Sequence, residues 1–149
     1  MTHIRQIALL TPEQIRLFRH NGFLKLPHPL PRETVENLKA AVWADLKNEV
    51  EPIVRSSDGT PVRLSQIMGR NNTIFRQVAT SPPVLDPLES ILGPNIEIVR
   101  NRHNHATLNL ASKNTDRFHR DITQWTQPLA TVIFYLEETH LDNGCTQLI

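Results

Sequence analysis

Apolar residues recur in two different rhythms along this chain. Val35, Leu38, Val42, Leu46 and Val50 fall every three or four positions, which predicts an amphipathic helix over residues 32–51. Ahead of it, Thr11-Pro12-Glu13-Gln14 has the composition of a helix start: threonine at the N-cap, proline at the first helical position, and glutamine placed to close a capping box. Ile15 and Phe18 supply a short apolar face, and Asn21-Gly22 ends it. A further helix opens at Ser81-Pro82, carries Val84, Leu85, Leu88, Ile91 and Leu92, and stops at Gly93-Pro94.

After Gly93 the rhythm shortens to two. The stretches 95–110, 117–122, 130–138 and 145–149 alternate well enough to predict strands, and 23–26 (FLKL) reads as an earlier one ending in the prolines at 27, 29 and 31. Residues 52–80 have no sustained period. They contain the turn signal Ser57-Asp58-Gly59 and read as a long connection with a short helix at 75–80. Helices first and strands afterwards predict an α+β fold in a single domain spanning 1–149.

Composition narrows the partners more than the fold. Sixteen basic and fifteen acidic residues in 149 leave a formal charge of +1, so no single-sign field points to nucleic acid or an anionic membrane. No segment approaches the ~18 apolar residues of a membrane span, and the N-terminus lacks a secretory cleavage pattern. The lone Cys145 cannot form an internal disulfide and argues against a cysteine-based zinc site, so a soluble, cytoplasmic protein is expected, and the partner class must come from a site. Cys145 itself, in a turn with no adjacent base, reads as a structural thiol.

The candidate chemistry lies in RFHRDITQW, residues 117–125. Side chains at i and i+2 of a strand share a face, so His119 and Asp121 can present an imidazole nitrogen and a carboxylate oxygen to one metal ion. Spacing alone is weak evidence, since seven histidines and six aspartates give about 0.3 such pairs by chance. A second pair, His140 and Asp142, runs into Asp142-Asn143-Gly144 and reads as a turn. His103 and His105 also stand two apart and would share a strand face, although their polar surroundings suit a wet or exposed strand better than direct ligation.

The order of features from His119 onward resembles the phytanoyl-CoA dioxygenase family of non-haem iron, 2-oxoglutarate-dependent oxygenases. His119-x-Asp121, Pro128, the apolar run 131–136, Glu137-Glu138 and Asn143-Gly144-Cys145 follow one another as in that family, and LTPEQIRLFRHNGFLKLPHPL is similar to its opening helix and strand. The resemblance implies Fe(II) and 2-oxoglutarate as cofactors, with His119 and Asp121 as two members of a facial triad that leaves positions open for the 2-oxo acid and oxygen. It implies hydroxylation of a C–H bond in a small organic substrate, with 2-oxoglutarate converted to succinate. By the same resemblance Trp125 lines the cofactor or substrate pocket, and Asn104 and Thr131 reach the cofactor. Asn109 is a weaker candidate of the same kind, and Arg100, Arg102, Arg117 and Arg120 offer positive charge without being assigned as its carboxylate clamp.

The family's third ligand, a histidine, and its cofactor-binding arginine are expected on a later strand, near a PGSH-like turn that does not occur before Ile149. A double-stranded β-helix needs about eight strands, and four or five are legible here. The expectation is therefore part of such a jelly-roll, the N-terminal half of a longer enzyme. The alternatives are a truncated product with little activity and a non-catalytic binding or oligomerisation domain derived from such an enzyme. Exposed strand edges would favour homo-oligomers.

Overall fold

A computed structural model describes residues 9–27, 30–100, 102–108 and 128–148. Its first helix, α1 (Pro12–Asn21), begins as its sequence dictates. Thr11 Oγ1 accepts from the Gln14 amide at 3.2 Å while Gln14 Oε1 accepts from the Thr11 amide at 2.8 Å. Gly22 ends the helix in the left-handed region at φ 78°, where a side chain would be strained, and its amide donates to the Phe18 carbonyl.

Residues 23–26 alternate in the predicted sense, with Leu24 and Leu26 turned inward and Phe23 and Lys25 exposed, but they belong to no strand. The second helix, α2 (Arg32–Lys47), buries Leu38, Ala41 and Val42. It stops four residues short of the predicted end because the chain turns at Asn48 and Glu49 takes φ 49°, leaving Val50 beyond the helix.

The 52–80 stretch is where the structure departs most from its sequence reading. It contains a hairpin, β1 (Ile53–Arg55) and β2 (Pro61–Ser65), turning on Ser57-Asp58-Gly59. Ser56 Oγ donates to Asp58 Oδ1 at 2.5 Å, and the Thr60 amide donates to the same oxygen at 2.9 Å. A 3-10 turn (Ile67–Gly69) leads into α3 (Ile74–Ala79), one residue from its predicted start, and then α4 (Pro82–Leu92), which matches its predicted bounds.

The strand β3 (His105–Thr107) pairs antiparallel with β2, giving the order β1-β2-β3 with Leu64 opposite Ala106 and Ser65 opposite His105. Residues 95–100 and 102–104 of the predicted 95–110 strand are not laddered, with Asn95 (φ 63°) and His103 (φ 48°) interrupting the extended backbone, and 101, 109 and 110 lie outside the described residues. Residues 128–136 and 144–148 also carry no strand assignment, and 117–122 lies outside the described residues. The α+β class holds. Its sheet, however, is a small three-stranded antiparallel one, and a double-stranded β-helix is not formed by the described residues.

One core joins α2, α3 and the sheet. Leu38, Ala41 and Val42 of α2, Leu64 of β2, Phe75 and Val78 of α3, and Leu108 form a buried cluster, with Phe134 and Leu136 packed against it. Arg70, 4% exposed, fastens the hairpin to the end of α2. Its five N–H groups are all used: Nε and Nη2 donate to the Ser65 carbonyl, Nη2 also to Pro52, and Nη1 to the Val50 carbonyl and Asp45 Oδ2 at 3.0 Å. Among the described residues no helix is long and apolar enough to cross a membrane.

Candidate functional site

His119, Asp121 and Trp125 lie outside the described residues, as do Asn109, Arg117 and Arg120. What the structure gives is the frame on either side. Leu108, immediately after β3, is buried in the core and its amide donates to the Val62 carbonyl at 2.9 Å. On the far side the described chain resumes at Pro128, and Phe134 and Leu136 pack against the same core. Both flanks of the His119-x-Asp121 stretch are thus anchored to one hydrophobic cluster, although in the continuous apolar run 132–136 only Phe134 and Leu136 pack there while Val132, Ile133 and Tyr135 stay exposed. Glu137 continues the second flank with a 3.6 Å approach to Lys39 of α2, an exposed ion pair that adds little.

Asn104 stands at the entry to β3 and is engaged with backbone. Its Oδ1 accepts from the Met68 amide at 3.0 Å, its carbonyl accepts from the Ile67 amide at 3.2 Å, and its Nδ2 donates to the Arg100 carbonyl. The residue therefore clamps the 3-10 turn against the sheet, the local role that asparagine commonly plays beside a strand. Thr131 is exposed on the extended flank. Arg100 and Arg102 are exposed as well.

His103 and His105 do not share a strand face. His103 precedes β3 in a left-handed conformation, whereas His105 is a half-buried member of the ladder; their ring centroids are 6.3 Å apart and tilted by 52°. The second histidine-aspartate pair is a turn, as its sequence suggests. His140 caps the 3-10 turn Leu141–Asn143, with its amide donating to Asn143 Oδ1 at 2.7 Å, and Gly144 closes the turn at φ 85°. His140 Nδ1 approaches Asp142 Oδ2 to 3.6 Å with both side chains open to solvent. Cys145 is a free, half-buried thiol.

Among the described residues no three His, Cys, Asp or Glu side chains converge closely enough to hold a metal ion. His119 and Asp121 bring together in sequence an imidazole and a carboxylate, a donor pair suited to ferrous iron. Two cavities among the described residues adjoin neither Asn104 nor Thr131. The larger, about 360 Å³, opens between the start of α2 and α3, with Thr34, Asn37, Gln77 and Val78 among its walls; the smaller, about 190 Å³, lies beside Arg70.

Sequence reasoning missed two buried polar residues. Arg70 lies in a stretch without periodicity, and Asp86, 1% exposed, sits on the apolar helix α4. The composition of α4 gave no signal for a buried carboxylate, whereas Arg70 could have been suspected from its place just after an interrupted apolar run. A family model described as phytanoyl-CoA dioxygenase (PhyH) matches residues 18–149. No curated protein matches the chain.

Proposed function

The chain belongs to the phytanoyl-CoA dioxygenase family, and from that premise we propose that it is an Fe(II)- and 2-oxoglutarate-dependent oxygenase acting on a small organic substrate. The observation that carries the reading is the span of the family match, which covers His119-x-Asp121 and both of its anchored flanks. His119 offers a neutral imidazole nitrogen and Asp121 an ionised carboxylate, two donors that retain ferrous iron while leaving part of its coordination sphere open. With iron bound, dioxygen would be the oxidant, one oxygen atom going into succinate as 2-oxoglutarate loses CO2 and the other into the hydroxylated C–H bond.

The protein's own part is positioning and exclusion of water. Trp125 lines the pocket, and the Thr131 hydroxyl hydrogen-bonds the cofactor from the flank that follows. Asn104 contributes by fixing the entry to β3, since its carboxamide is held by backbone partners. The third ligand and the anchor for the distal carboxylate of 2-oxoglutarate are left unassigned. The jelly-roll architecture implied by the family belongs to this proposal as well.

Anaerobic titration with Fe(II), with and without 2-oxoglutarate, tests the reading through the metal-to-ligand charge-transfer absorbance. A band that requires 2-oxoglutarate and disappears in His119→Ala is the expected outcome. A folded wild-type chain that gives no band, or a band unchanged in His119→Ala, overturns the assignment for this chain.

A further inference from the structure

The outward side of α2 has a pattern that neither the core nor the candidate site uses. Opposite the buried Leu38, Ala41 and Val42, the exposed residues Glu36, Ala40, Trp43 and Lys47 follow at steps of four, three and four, the spacing that aligns side chains in one stripe. Trp43 is 47% exposed, a large aromatic on a solvent face, and Ala40 and Ala44 beside it leave the helix backbone open to close approach. One exposed tryptophan is unremarkable by itself. The order of the residues around it is not arbitrary.

Inverting the stripe about the midpoint between residues 41 and 42 exchanges Glu36 with Lys47 and Ala40 with Trp43. A two-fold axis through that point, perpendicular to the helix, therefore sets each acidic end against a basic end and each indole over an alanine. The helix dipoles run opposite ways in the same arrangement. The charges are available for it. Lys47 has no ion pair among the described residues, and Glu36 makes only a 3.8 Å approach to Lys39, which also approaches Glu137.

We propose that the outward face of α2 is the contact surface of an antiparallel homodimer, with a second copy of this chain as its occupant. The contact is self-complementary, as a two-fold interface must be. A 16-residue helix is about 24 Å long, so two of them bury less than the ~1,200–2,000 Å² of a tight complex. The dimer is weak and forms with rising concentration. It depends on α2 alone and is independent of the oxygenase reading.

Sedimentation equilibrium of the full chain, from about 10 μM to about 1 mM, reads the association directly. A reversible monomer–dimer equilibrium is expected, with Trp43→Ala raising the dissociation constant about tenfold or more, as for a central aromatic anchor. Glu36→Lys and Lys47→Glu each create two like-charge contacts per dimer and weaken it about tenfold, whereas the double exchange Glu36→Lys/Lys47→Glu restores it to within about twofold of wild type. Circular dichroism establishes that each variant is folded. A chain that stays monomeric throughout overturns the proposal and leaves the face to some other partner. A dimer indifferent to Trp43→Ala, or one that the double exchange fails to restore, overturns it equally, as expected of pairing through strand edges.

Discussion

Replacing Arg70 by methionine should destabilise the fold far more than removing a surface arginine. The guanidinium bonds three backbone carbonyls and Asp45, and the two charged side chains are 2% and 14% exposed. Breaking a buried pair by deleting one partner costs about 3–5 kcal/mol, because the other charge stays behind unpaired. Against a total stability of about 5–15 kcal/mol that is a large fraction. At about 2–4 °C per kcal/mol for a chain of this size, it is a fall of about 6–20 °C in melting temperature. Arg70→Lys should fall in between, since an ammonium has three donors where the guanidinium has five. The double variant Asp45→Leu/Arg70→Met removes the stranded carboxylate and should recover about 1–3 kcal/mol relative to Arg70→Met, while the Val50, Pro52 and Ser65 carbonyls still lack their donor. Urea unfolding and thermal melts followed by far-UV circular dichroism measure all four proteins. A melting temperature for Arg70→Met within about 2 °C of wild type, or a double variant no more stable than the single, would refute this account of the cluster.

Two further outcomes follow from local geometry. The Ser56 hydroxyl, and after it the Thr60 amide, hold the Asp58 carboxyl at about 2 instead of 3.8. A depressed carboxylate stabilises the folded state above its unfolded value, so the contribution of the turn should be complete above about pH 4 and be lost as pH falls through about 2. An NMR titration of the Asp58 carboxyl checks the midpoint, and Asp58→Asn should abolish this part of the acid dependence. Leu64→Ala opens a cavity at a residue with 0% exposure and should cost about 2–5 kcal/mol in urea unfolding; a loss under about 1 kcal/mol would mean that the core collapses around the gap.

The helices were legible because their signals are local and redundant. Thr11-Pro12-Glu13-Gln14 and Gly22 mark both ends of α1, and α4 is bracketed by Ser81-Pro82 and Gly93-Pro94. The strands were not. β1 has three residues, too few for a period of two, and the alternation of Val62 and Leu64 with Arg63 and Ser65 in β2 follows a proline that masks a strand start, although the Ser57-Asp58-Gly59 turn between them was plain. In 95–110 alternation was real in composition, but positive φ at Asn95 and His103 keeps the described residues ahead of His105 out of the ladder. The clamp made by Asn104 joins positions 36 residues apart and is invisible to any local pattern. The His119-x-Asp121 pair stands out by the order of features around it, since its spacing alone carries little, and it lies outside the described residues.

The anchoring of both site flanks in one core makes the site and the fold thermodynamically reciprocal. Leu108 on one side and Phe134 and Leu136 on the other share the cluster that contains Leu64. A ligand that engages the residues between those flanks and has no affinity for the unfolded chain raises stability by RT ln(1 + [L]/Kd), about 2.7 kcal/mol at a hundredfold excess over Kd. The core thus serves as a reporter for the site between its flanks: occupancy is readable as a melting shift, and a packing defect in the core is readable as weaker apparent affinity.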